Sequence, residues 1–587
     1  MTTHTETIST ETEPTLSRPA ALTIETALWA GIGIAALALR LAALTRYPLN
    51  ESEAAQTMSA LTLYRGGIPG GDYSPLLTSL AGGAFLLFGA TDWAARLVNV
   101  LLGTLLVLLP FGLRRELGRL GALAAAILLT VSASPLFFSR AIGSDMAAAV
   151  GAMLVLVGGA RWLAENRPRG LYAIGGGLAL LLTAGTAGFS ALAVLLLMLG
   201  ATVAGNRQTV SQLQARFAAE RETVRRAALW FGIALFILAT AATFNFNGFA
   251  AISEQFTRWL TDFGIAPRPG GALPAVVSLL FYEPLVVVFG AVGLARATAG
   301  KDPLRWLLVA WIALAILLDI VQSGRSDGQL LLIFVPLALL AGEQLGALWH
   351  NWRNSARLES DGLLVAIGLM VVVFVYVSLM SWTKCTAAQA GCGTAWILPA
   401  AGAALIIGLA IVFGNWYGRD TAFRGLAVIA LVVFGVLSVG LSWRLSFGKL
   451  YDLPFEPIFP LPASSRLPDL NHDLQKFSMA RAGDAHEIDI AVVDADVPQL
   501  RWYLRNFRTV KFVPDFASAQ DASIVLARPQ TGNPNGSYTG EEFALVSFWT
   551  PSQLQGKDWL RWYIYRHLPN HNPGHDQLVL WLRADGE

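Results

Sequence analysis

Three short groups of charged residues lie beside long apolar stretches of this sequence. They are Asn50-Glu51-Ser52-Glu53-Ala54, the stretch from Ser139-Arg140 to Asp145, and Tyr282-Glu283-Pro284-Leu285, which interrupts an otherwise apolar run. A charge close to a hydrocarbon layer is costly, so such acids are candidates for a functional site. Two carboxylates on one side of a membrane can serve as a general base and as an organiser of a metal ion or phosphate, and Arg140 can neutralise a phosphate.

Each of these acids also has a purely structural interpretation. Asp145 stands where a helix N-cap is expected, and an acid there complements the helix dipole. Glu51 and Glu53, taken singly, can be solvated loop charges. Glu283 can bond across helices, although its apolar neighbours on either side favour a functional role. The sequence leaves both interpretations open for each residue.

The elements that must position these residues are membrane helices. Of the 587 residues, 54% are hydrophobic and only 14% are charged, and the mean hydropathy is +0.53. A soluble domain normally carries about 25% charged residues. Apolar runs of about 18 to 25 residues recur over the first three-quarters of the chain, which is the length that a spanning helix needs. The composition therefore predicts an α-helical polytopic membrane protein. The net charge of +2 is spread over loops and indicates no nucleic-acid partner.

The apolar runs predict about thirteen spans. Their expected ranges are 26–45, 93–113, 120–138, 146–163, 171–184, 186–203, 228–247, 273–295, 306–322, 329–349, 362–381, 395–417 and 425–446. The run 75–89 is too short to span and is expected to be an interfacial or re-entrant helix on the outer side. With the N-terminus inside, the inner loops hold 18 Arg and Lys residues and the outer loops hold eight. The positive-inside rule thus predicts a cytoplasmic N-terminus and an extracytoplasmic C-terminus in a cell membrane.

The composition also divides the chain into segments. Residues 1–25 are expected to be a disordered cytoplasmic tail without a cleaved signal, and 26–446 to be the transmembrane domain. Residues 447–465 form a Pro- and Ser-rich linker to an extracytoplasmic α/β domain over 466–587. There, short β-type runs at 488–493, 523–526, 543–548 and 578–582 alternate with helical stretches near 467–480, 498–506 and 558–567.

Two further features each leave two interpretations open. Cys385 and Cys392 lie in one predicted outer loop, where they can form a disulfide or remain as free thiols. The aromatic stretch from Trp559 to Tyr565 can stack on sugar rings, although packing in a core or at the membrane interface is the favoured interpretation.

Several phrases of the sequence resemble the GT-C glycosyltransferases. They are 48–54, Ser74-Pro75-Leu76-Leu77, 92–97 and 139–145. The resemblance is to the protein O-mannosyltransferase and lipid-A aminoarabinose transferase group. Within it, Tyr282-Glu283-Pro284-Leu285 and Arg501-Trp502-Tyr503-Leu504-Arg505 resemble the bacterial and archaeal "flippase activity-associated" branch.

This resemblance implies transfer of a sugar from a polyprenyl-phosphate carrier to an acceptor protein, lipid or envelope glycan on the outer face. The Asp-Glu pair of the family falls on Ser52-Glu53, its second-loop acid falls on Asp145, and Arg140 is the implied phosphate contact. The sequence departs from the family at Ser52, where the family has its usual catalytic Asp. It also lacks the basic residue often found near 182–186, and Ser74 stands where an aromatic residue or His is common.

The resemblance and the acids together predict a direct displacement at the anomeric carbon. Glu53 or Glu51 would deprotonate the acceptor hydroxyl, while Arg140 with Asp145 would stabilise the departing polyprenyl phosphate. A divalent cation held by Glu53 and Asp145 is a further possibility. The expected geometry is a common cavity into which Glu53 and Asp145 open beside Arg140. The full set of candidate site residues comprises Glu51, Glu53, Asp145, Arg140, Glu283, Arg96 and Tyr73.

Two other classes of function are alternatives to this enzyme. The departure at Ser52 suggests a catalytically degenerate relative that acts as a scaffold or as a lipid-carrier partner in glycan assembly. A transporter would show repeated halves and interrupted helices near the midplane. No repeat is visible in the sequence, and the acids gather at one boundary, so transport is disfavoured.

Overall fold

The architecture of the chain is taken from a computed structural model that describes most of the sequence. The described residues are 23–163, 165–205, 207–264, 274–300, 302–385, 392–448, 456, 458, 462–464, 466–519, 522–532, 534, 538–549, 554, 556–566 and 574–584. The expected tail lies outside them up to residue 22, as do most of residues 449–465 in the expected linker.

Helices dominate the first three-quarters of the chain. They are α1 (Ile24–Leu41), α2 (Glu51–Tyr64), α3 (Pro75–Phe88), α4 (Asp92–Leu108), α5 (Arg119–Val131), α6 (Ala133–Phe138), α7 (Ser144–Leu163), α8 (Gly170–Ala184), α9 (Thr186–Gly205), α10 (Arg207–Ala219), α11 (Arg221–Thr240), α12 (Gly248–Thr261), α13 (Ala275–Tyr282), α14 (Pro284–Ala299), α15 (Pro303–Val321), α16 (Leu330–Ser355), α17 (Leu363–Lys384), α18 (Ile397–Tyr417) and α19 (Arg419–Phe447). This order agrees with the predicted order of apolar runs.

Nine helical segments in the described part of the chain are long and apolar enough to cross a membrane. They are Ile24–Leu41, Asp92–Leu113, Ser144–Leu163, Arg221–Thr240, Pro303–Val321, Asp327–Ser355, Glu359–Lys384, Ile397–Tyr417 and Arg419–Phe447. Helices α3, α5 and α8 and the 186–202 part of α9 are apolar but shorter. The protein is therefore a multi-pass membrane protein, whereas the predicted number of thirteen spans is not confirmed.

The predicted span 273–295 is not one straight helix. Helices α13 and α14 meet at Glu283 with an angle of 113° between them. Pro284 explains the break, because its ring disfavours a helical conformation at Glu283 and it has no backbone N–H to donate. The segment is a broken span or a re-entrant loop, and the break places a carboxylate at its corner.

Small residues bring α7 and α8 into close contact. A Cβ atom on Gly158 would lie 2.6 Å from the carbonyl oxygen of Gly170, and one on Gly177 would lie 2.6 Å from that of Gly151. Glycine at these positions lets the two backbones approach, which is how helices pack where lipid removes the hydrophobic driving force between them. This packing fixes α7, the helix that begins beside Asp145.

A five-stranded sheet follows the membrane helices. Its strands are β1 (Ile490–Val493), β2 (Val510–Val513), β3 (Ile524–Ala527), β4 (Tyr538–Phe548) and β5 (Gly574–Arg583), in the order β2-β1-β3-β5-β4. β1 runs parallel to β2 and β3, while β5 is antiparallel to β3 and β4. The accompanying helices are α20 (Leu467–Ala482), α21 (Pro498–Tyr503) and α22 (Asp558–Tyr565).

Four of the five strands coincide with runs that the sequence predicted. β1 and β3 are fully buried, as expected for central strands of a parallel arrangement. The sequence reasoning missed β2, which is an edge strand of four residues with the exposed Lys511 inside it. Three of its four residues are apolar, but a run of four interrupted by Lys511 is too short to stand out.

Asp92 joins the sheet domain to the membrane helices. Trp502 Nε1 donates to Asp92 Oδ1 at 2.7 Å, and Tyr503 Oη donates to Asp92 Oδ2 at 3.0 Å. The Tyr503 hydroxyl in turn accepts from the backbone N–H of Leu49 at 3.0 Å, and Trp502 stacks on Phe85. Burial raises the pKa of Tyr503 far above its usual value, so the hydroxyl remains a donor. We call Asp92, Trp502 and Tyr503 the Asp92 junction.

Cys385 and Cys392 are joined by a disulfide between the ends of α17 and α18. This result selects one of the two alternatives that the sequence left open. The Lys557 ammonium, at the start of α22, donates to the carbonyl oxygen of Cys385. The disulfide-bonded turn therefore also contacts the sheet domain.

We expect replacement of Asp92 by alanine to loosen the sheet domain. The change leaves the Trp502 and Tyr503 donors without their acceptor, at a cost of about 1–3 kcal/mol for each unsatisfied buried group. Thermal unfolding of the purified protein in detergent should shift to lower temperature. Asp473→Ala is the matched control, because that acid is exposed and pairs only with Lys476 on its own helix. Equal unfolding temperatures for the two variants would contradict the assignment.

Candidate active site

Helix α2 carries the first group of acids and begins with a capping box. The backbone N–H of Glu53 donates to Asn50 Oδ1 at 2.8 Å, and the backbone N–H of Asn50 donates to Glu53 Oε2 at 3.2 Å. These bonds satisfy two of the donors that every helix start leaves unpaired. The local sequence thus fixes where Glu51, Ser52 and Glu53 lie on the first turn.

Glu53 is buried and forms a bidentate ion pair with Arg96 of α4. Arg96 Nε donates to Glu53 Oε1 at 3.0 Å, and Arg96 Nη2 donates to Oε2 at 2.8 Å. The backbone N–H of Ile142 adds a bond to Oε1 at 2.9 Å. With the Asn50 bond, both oxygens accept two donors each. The side chain is 2% exposed, so Glu53 does not open into a cavity.

Arg96 also donates hydrogen bonds to backbone carbonyl groups of the protein. Its Nη1 atom donates to the carbonyl oxygens of Leu44 at 3.0 Å and Tyr47 at 2.7 Å, in addition to the Glu53 bonds. Arg96 is predicted to bind substrate, but its donors serve the chain that leads from α1 to α2. The geometry gives Glu53 and Arg96 a positioning role and leaves their direct roles in catalysis and binding without support.

Arg140 also donates to the protein backbone. Its Nη1 atom donates to the carbonyl oxygens of Leu39 at 2.9 Å and Arg40 at 3.1 Å, and its Nη2 atom donates to that of Ala43 at 2.8 Å. These carbonyls are those that the end of α1 leaves unpaired. The guanidinium also lies over the Phe447 ring. The expectation that Arg140 contacts phosphate gains no support from this geometry, because its donors cap a helix.

Asp145 lies in the first turn of α7 and is 8% exposed. The hydroxyl of Ser326 donates to Asp145 Oδ1. The space beside it is tight, since a Cβ atom on Gly328 would lie 2.6 Å from Asp145 Cγ. The structure therefore joins the second predicted acid to the turn before α16, a partner that the sequence did not suggest.

The loop of Asp145 and the start of α2 lie side by side, as predicted. The Ile142 bond to Glu53 connects them, and Asn99 Nδ2 donates to the carbonyl oxygens of Ala141 at 2.6 Å and Gly143 at 3.0 Å. These contacts bring the first two acidic groups together, while their position on the outer side of the membrane stays a prediction. Glu53 is enclosed, so the expected cavity shared by Glu53 and Asp145 gains no support from this geometry.

Glu51 is the acid of the first group whose side chain is exposed. It occupies the first position of α2, where its charge complements the helix dipole. Its neighbour Ser52, which stands where the family has Asp, donates from its hydroxyl to Asn50 Oδ1 at 2.8 Å. Each residue of a helix is rotated by about 100° from the one before it. Glu51 and Glu53 are two positions apart on α2, so their side chains point to different sides.

Sequence reasoning missed a polar cluster formed by Asp72, Gln255 and Arg258. Arg258 of α12 forms an ion pair with Asp72, and the Gln255 amide donates to the same carboxylate. Gln255 Oε1 accepts from the backbone N–H of Thr186 at 3.1 Å. The Arg258 side chain is 60% exposed, so its charge meets solvent. The signal in the sequence is α12 itself, an amphipathic stretch between apolar runs.

This cluster lies next to Ser144, the residue before Asp145. A Cβ atom on Gly185 would be 3.1 Å from Gln255 Oε1 and 3.5 Å from Ser144 Cβ, so one small residue separates the two groups. Tyr73 follows Asp72 and is buried, and its hydroxyl accepts from Asn245 Nδ2 at 3.1 Å. Tyr73 therefore anchors the segment that presents Asp72.

The third predicted group lies elsewhere in the fold. Glu283 is fully buried at the corner between α13 and α14, and its Oε1 atom accepts from the backbone N–H of Ser134 at 2.6 Å. The preceding Tyr282 hydroxyl donates to Glu456 Oε2 at 2.6 Å, which also accepts from Arg566 Nη1 at 3.1 Å. The motif thus contacts α6 and the residues after α19, while Glu283 Oε2 is buried without a hydrogen-bond partner among the described residues.

Aromatic residues of α22 pack in the same region. Trp562 is buried, and Phe281 stacks on Trp559. Arg566 lies over the Trp562 ring, with 4.3 Å from its Cζ atom to the ring centroid. The favoured interpretation of this aromatic stretch, packing in a core, agrees with these contacts.

A metal site formed by Glu53 and Asp145 does not fit this geometry. Both Glu53 oxygens already accept two N–H donors each, so no lone pair is directed at a cation. Within the described ranges, no group of three or more His, Cys, Asp or Glu side chains could hold a metal ion. We therefore derive no step of the chemistry through a metal.

Comparison with known proteins agrees with this fold. Residues 72–218 match the family model of dolichyl-phosphate-mannose-protein mannosyltransferase. The crystal structure of ArnT from Cupriavidus metallidurans bound to undecaprenyl phosphate has a TM-score of 0.53 at 15% identity, over 95% of this chain and 98% of that chain. The apo structure of the same protein has a TM-score of 0.51 at 14% identity, over 94% and 97%. No curated protein matches the sequence significantly.

These results define the class of protein. The chain is a multi-pass membrane protein with the fold of the GT-C glycosyltransferases and a small C-terminal sheet. The family match covers about a quarter of the chain and includes Asp72, Tyr73, Arg140 and Asp145. The predicted resemblance to the GT-C group is confirmed, whereas assignment to the "flippase activity-associated" branch stays a prediction.

We expect Glu53→Gln to destabilise the protein strongly. The change leaves the buried Arg96 guanidinium without a counter-charge, and breaking such a buried pair costs about 3–5 kcal/mol. Denaturant or thermal unfolding in detergent measures the effect. Glu51→Gln is the matched control, because that carboxylate is exposed and its loss should leave the unfolding midpoint nearly unchanged. A Glu53→Gln protein as stable as the control would show that Glu53 is not the structural partner of Arg96.

Proposed function

We propose that this protein is a membrane glycosyltransferase that moves a sugar from a polyprenyl-phosphate carrier to an acceptor hydroxyl on the outer face of the cell membrane. The GT-C fold supports this proposal, as does the match of residues 72–218 to a mannosyltransferase family. A structure of the same fold is described as ArnT bound to undecaprenyl phosphate, a polyprenyl phosphate. Acceptors of the proposed reaction are a protein, a lipid or an envelope glycan.

The observation that carries the proposal is the polar cluster at one end of the membrane helices. The start of α7, which carries Asp145, and Gln255, which bonds Asp72 of the Asp72–Arg258 pair, both lie against Gly185. An exposed guanidinium beside two carboxylates at a helix-bundle boundary is suited to a phosphate and a hydroxyl nucleophile. The buried Glu53–Arg96 pair holds the neighbouring loop in place through Ile142.

The reaction would be a direct displacement at the anomeric carbon. The acceptor oxygen forms the new glycosidic bond while the bond to the phosphate oxygen breaks, and the leaving group departs as the polyprenyl phosphate. A carboxylate, Asp145 or the exposed Glu51, takes the proton of the acceptor hydroxyl. Arg258 stabilises the phosphate as it departs, a role that replaces the one expected for Arg140.

The predicted orientation follows from the charge distribution. Excess Arg and Lys residues lie in the loops opposite to the acidic groups, which the positive-inside rule assigns to the cytoplasm. In this orientation the polar cluster and the sheet domain face the outside. The partners are then a polyprenyl-phosphate-linked sugar and an acceptor of the cell envelope.

We expect Asp145→Asn to lower sugar transfer by a factor of about 10²–10⁴, the usual contribution of a positioned general base.

Arg258→Ala should weaken binding of the polyprenyl phosphate by about 10- to 100-fold, which corresponds to one charged hydrogen bond. Transfer is measured with the purified protein and a panel of polyprenyl-phosphate sugars, and carrier binding is measured separately.

Arg225→Ala is the matched control for Arg258→Ala. Arg225 is also an exposed arginine in an ion pair, with Glu222, but it lies near the start of α11. Unaltered transfer in Asp145→Asn and Arg258→Ala, with full activity of the wild type, would remove both assignments. Failure of the wild-type protein to bind any polyprenyl phosphate would overturn the proposed function itself.

A second candidate function is a scaffold or a lipid-carrier partner without catalytic activity. The observation that favours it is Ser52, which stands in place of the family's catalytic Asp and whose hydroxyl donates to Asn50. Such a protein would bind polyprenyl phosphate and catalyse no transfer from any sugar of the panel. Restoration of transfer by Ser52→Asp would identify the chain as a degenerate relative of an active enzyme.

A further inference from the structure

A cleft of about 380 Å³ lies between α2 and the C-terminal sheet domain. One wall is the exposed face of α2, and the other is the turn that precedes α21 and its first residues. The residues that line it are Ala55, Met58, Ser59, Thr62, Gly70, Asp496, Pro498 and Arg501. None of them takes part in the polar cluster around Asp145 and Arg258.

The two walls of the cleft are held rigidly. The Asp92 junction fixes α21 against the start of α4, and Arg505 adds a bond from Nη2 to the carbonyl oxygen of Ala90 at 2.8 Å. The Arg505 guanidinium also lies over the Trp502 ring, with 3.7 Å from Cζ to the centroid. A cleft whose walls do not have to be ordered on binding loses less affinity to conformational entropy.

The polar edge of the cleft is a neutral ion pair. Arg501 Nε donates to Asp496 Oδ1 at 2.5 Å, and Nη2 donates to Oδ2 at 2.6 Å. The hydrogen bonds from Arg501 lower the pKa of the Asp496 carboxyl, so the pair stays charged near neutral pH. Because Asp496 already neutralises the guanidinium charge, a phosphate or carboxylate ligand gains less from Arg501 than it would from an unpaired arginine.

Helical periodicity aligns the cleft with Glu51. Residues 51, 55, 58 and 62 are spaced by four, three and four positions, so they lie on one face of α2. At 1.5 Å per residue, the face from Glu51 to Thr62 is about 16 Å long. A ligand that occupies the cleft therefore extends along α2 towards the exposed carboxylate at its start.

We propose that this cleft binds the saccharide part of the acceptor, as a neutral oligosaccharide chain. Sugar hydroxyls both donate and accept hydrogen bonds, so they can bond Asp496 and Arg501 together without disturbing the charge balance. The apolar face of a sugar ring fits the surface of Met58, Ala55 and Pro498. Ser59 and Thr62 offer further hydroxyls along the same wall. This inference rests on the proposed function and names the chemical class of its acceptor.

The test uses the full-length protein in lipid nanodiscs and a panel of neutral linear trisaccharides of glucose, mannose and galactose. Binding is measured by saturation-transfer NMR and by titration. We expect at least one trisaccharide to bind the wild-type protein. Ser59→Trp fills the cleft and Arg501→Gln removes the ion pair, so each variant should weaken trisaccharide binding at least tenfold. Lys476→Trp, on an exposed face of α20, is the control and should bind as the wild type does.

Polyprenyl-phosphate binding is measured in the same preparations, which separates the two proposals. Retained carrier binding in Ser59→Trp and Arg501→Gln shows that these variants are folded. The inference is overturned if no trisaccharide binds, or if Ser59→Trp binds a trisaccharide as well as the wild type does. It is also overturned if a Ser- and Thr-rich peptide binds the cleft and the trisaccharides do not. If the wild-type protein does not bind the polyprenyl-phosphate carrier, that result counts against the proposed function and not against this inference.

Discussion

The buried ion pair between Glu53 and Arg96 is the interaction on which the arrangement of the site depends. It joins the start of α2 to α4, and through the Ile142 amide it also holds the loop that leads to Asp145. Two charges buried together are costly unless their hydrogen bonds are complete, and here both oxygens of Glu53 accept two donors. The pair therefore fixes one geometry rather than supplying a reactive group.

Arg140 and the Asp92 junction repeat the same principle at two other places. Arg140 satisfies the carbonyls at the end of α1, so that the chain can turn into the first loop without unpaired acceptors. Asp92 accepts from Trp502 and Tyr503 and thereby docks the sheet domain. Polar side chains that look catalytic in the sequence thus hold loops near the membrane boundary, whereas the side chains of Glu51 and Arg258 reach solvent.

The break at Glu283 has a related consequence. A membrane helix that turns by 113° leaves backbone groups without helical partners, and these must be satisfied inside the protein. Tyr282 meets Glu456 and Arg566 at this corner, while Glu283 accepts from Ser134. The corner therefore ties α6, the segment after α19 and the end of α22 to one another.

The sequence by itself determined the fold class, because the length and polarity of apolar runs are local properties that lipid requires of any spanning helix. It also determined most strands of the C-terminal sheet and which loops carry acids. It did not predict β2, because a run of four residues interrupted by Lys511 is too short to give a clear pattern. The tertiary structure alone decided which charges are enclosed. Glu53 and Glu51 are two residues apart and chemically identical, yet one is paired with Arg96 and the other is exposed, since the partner lies 43 residues further along the chain. Asp72 and Arg258 meet for the same reason: the contact depends on how helices pack, and no local pattern records it.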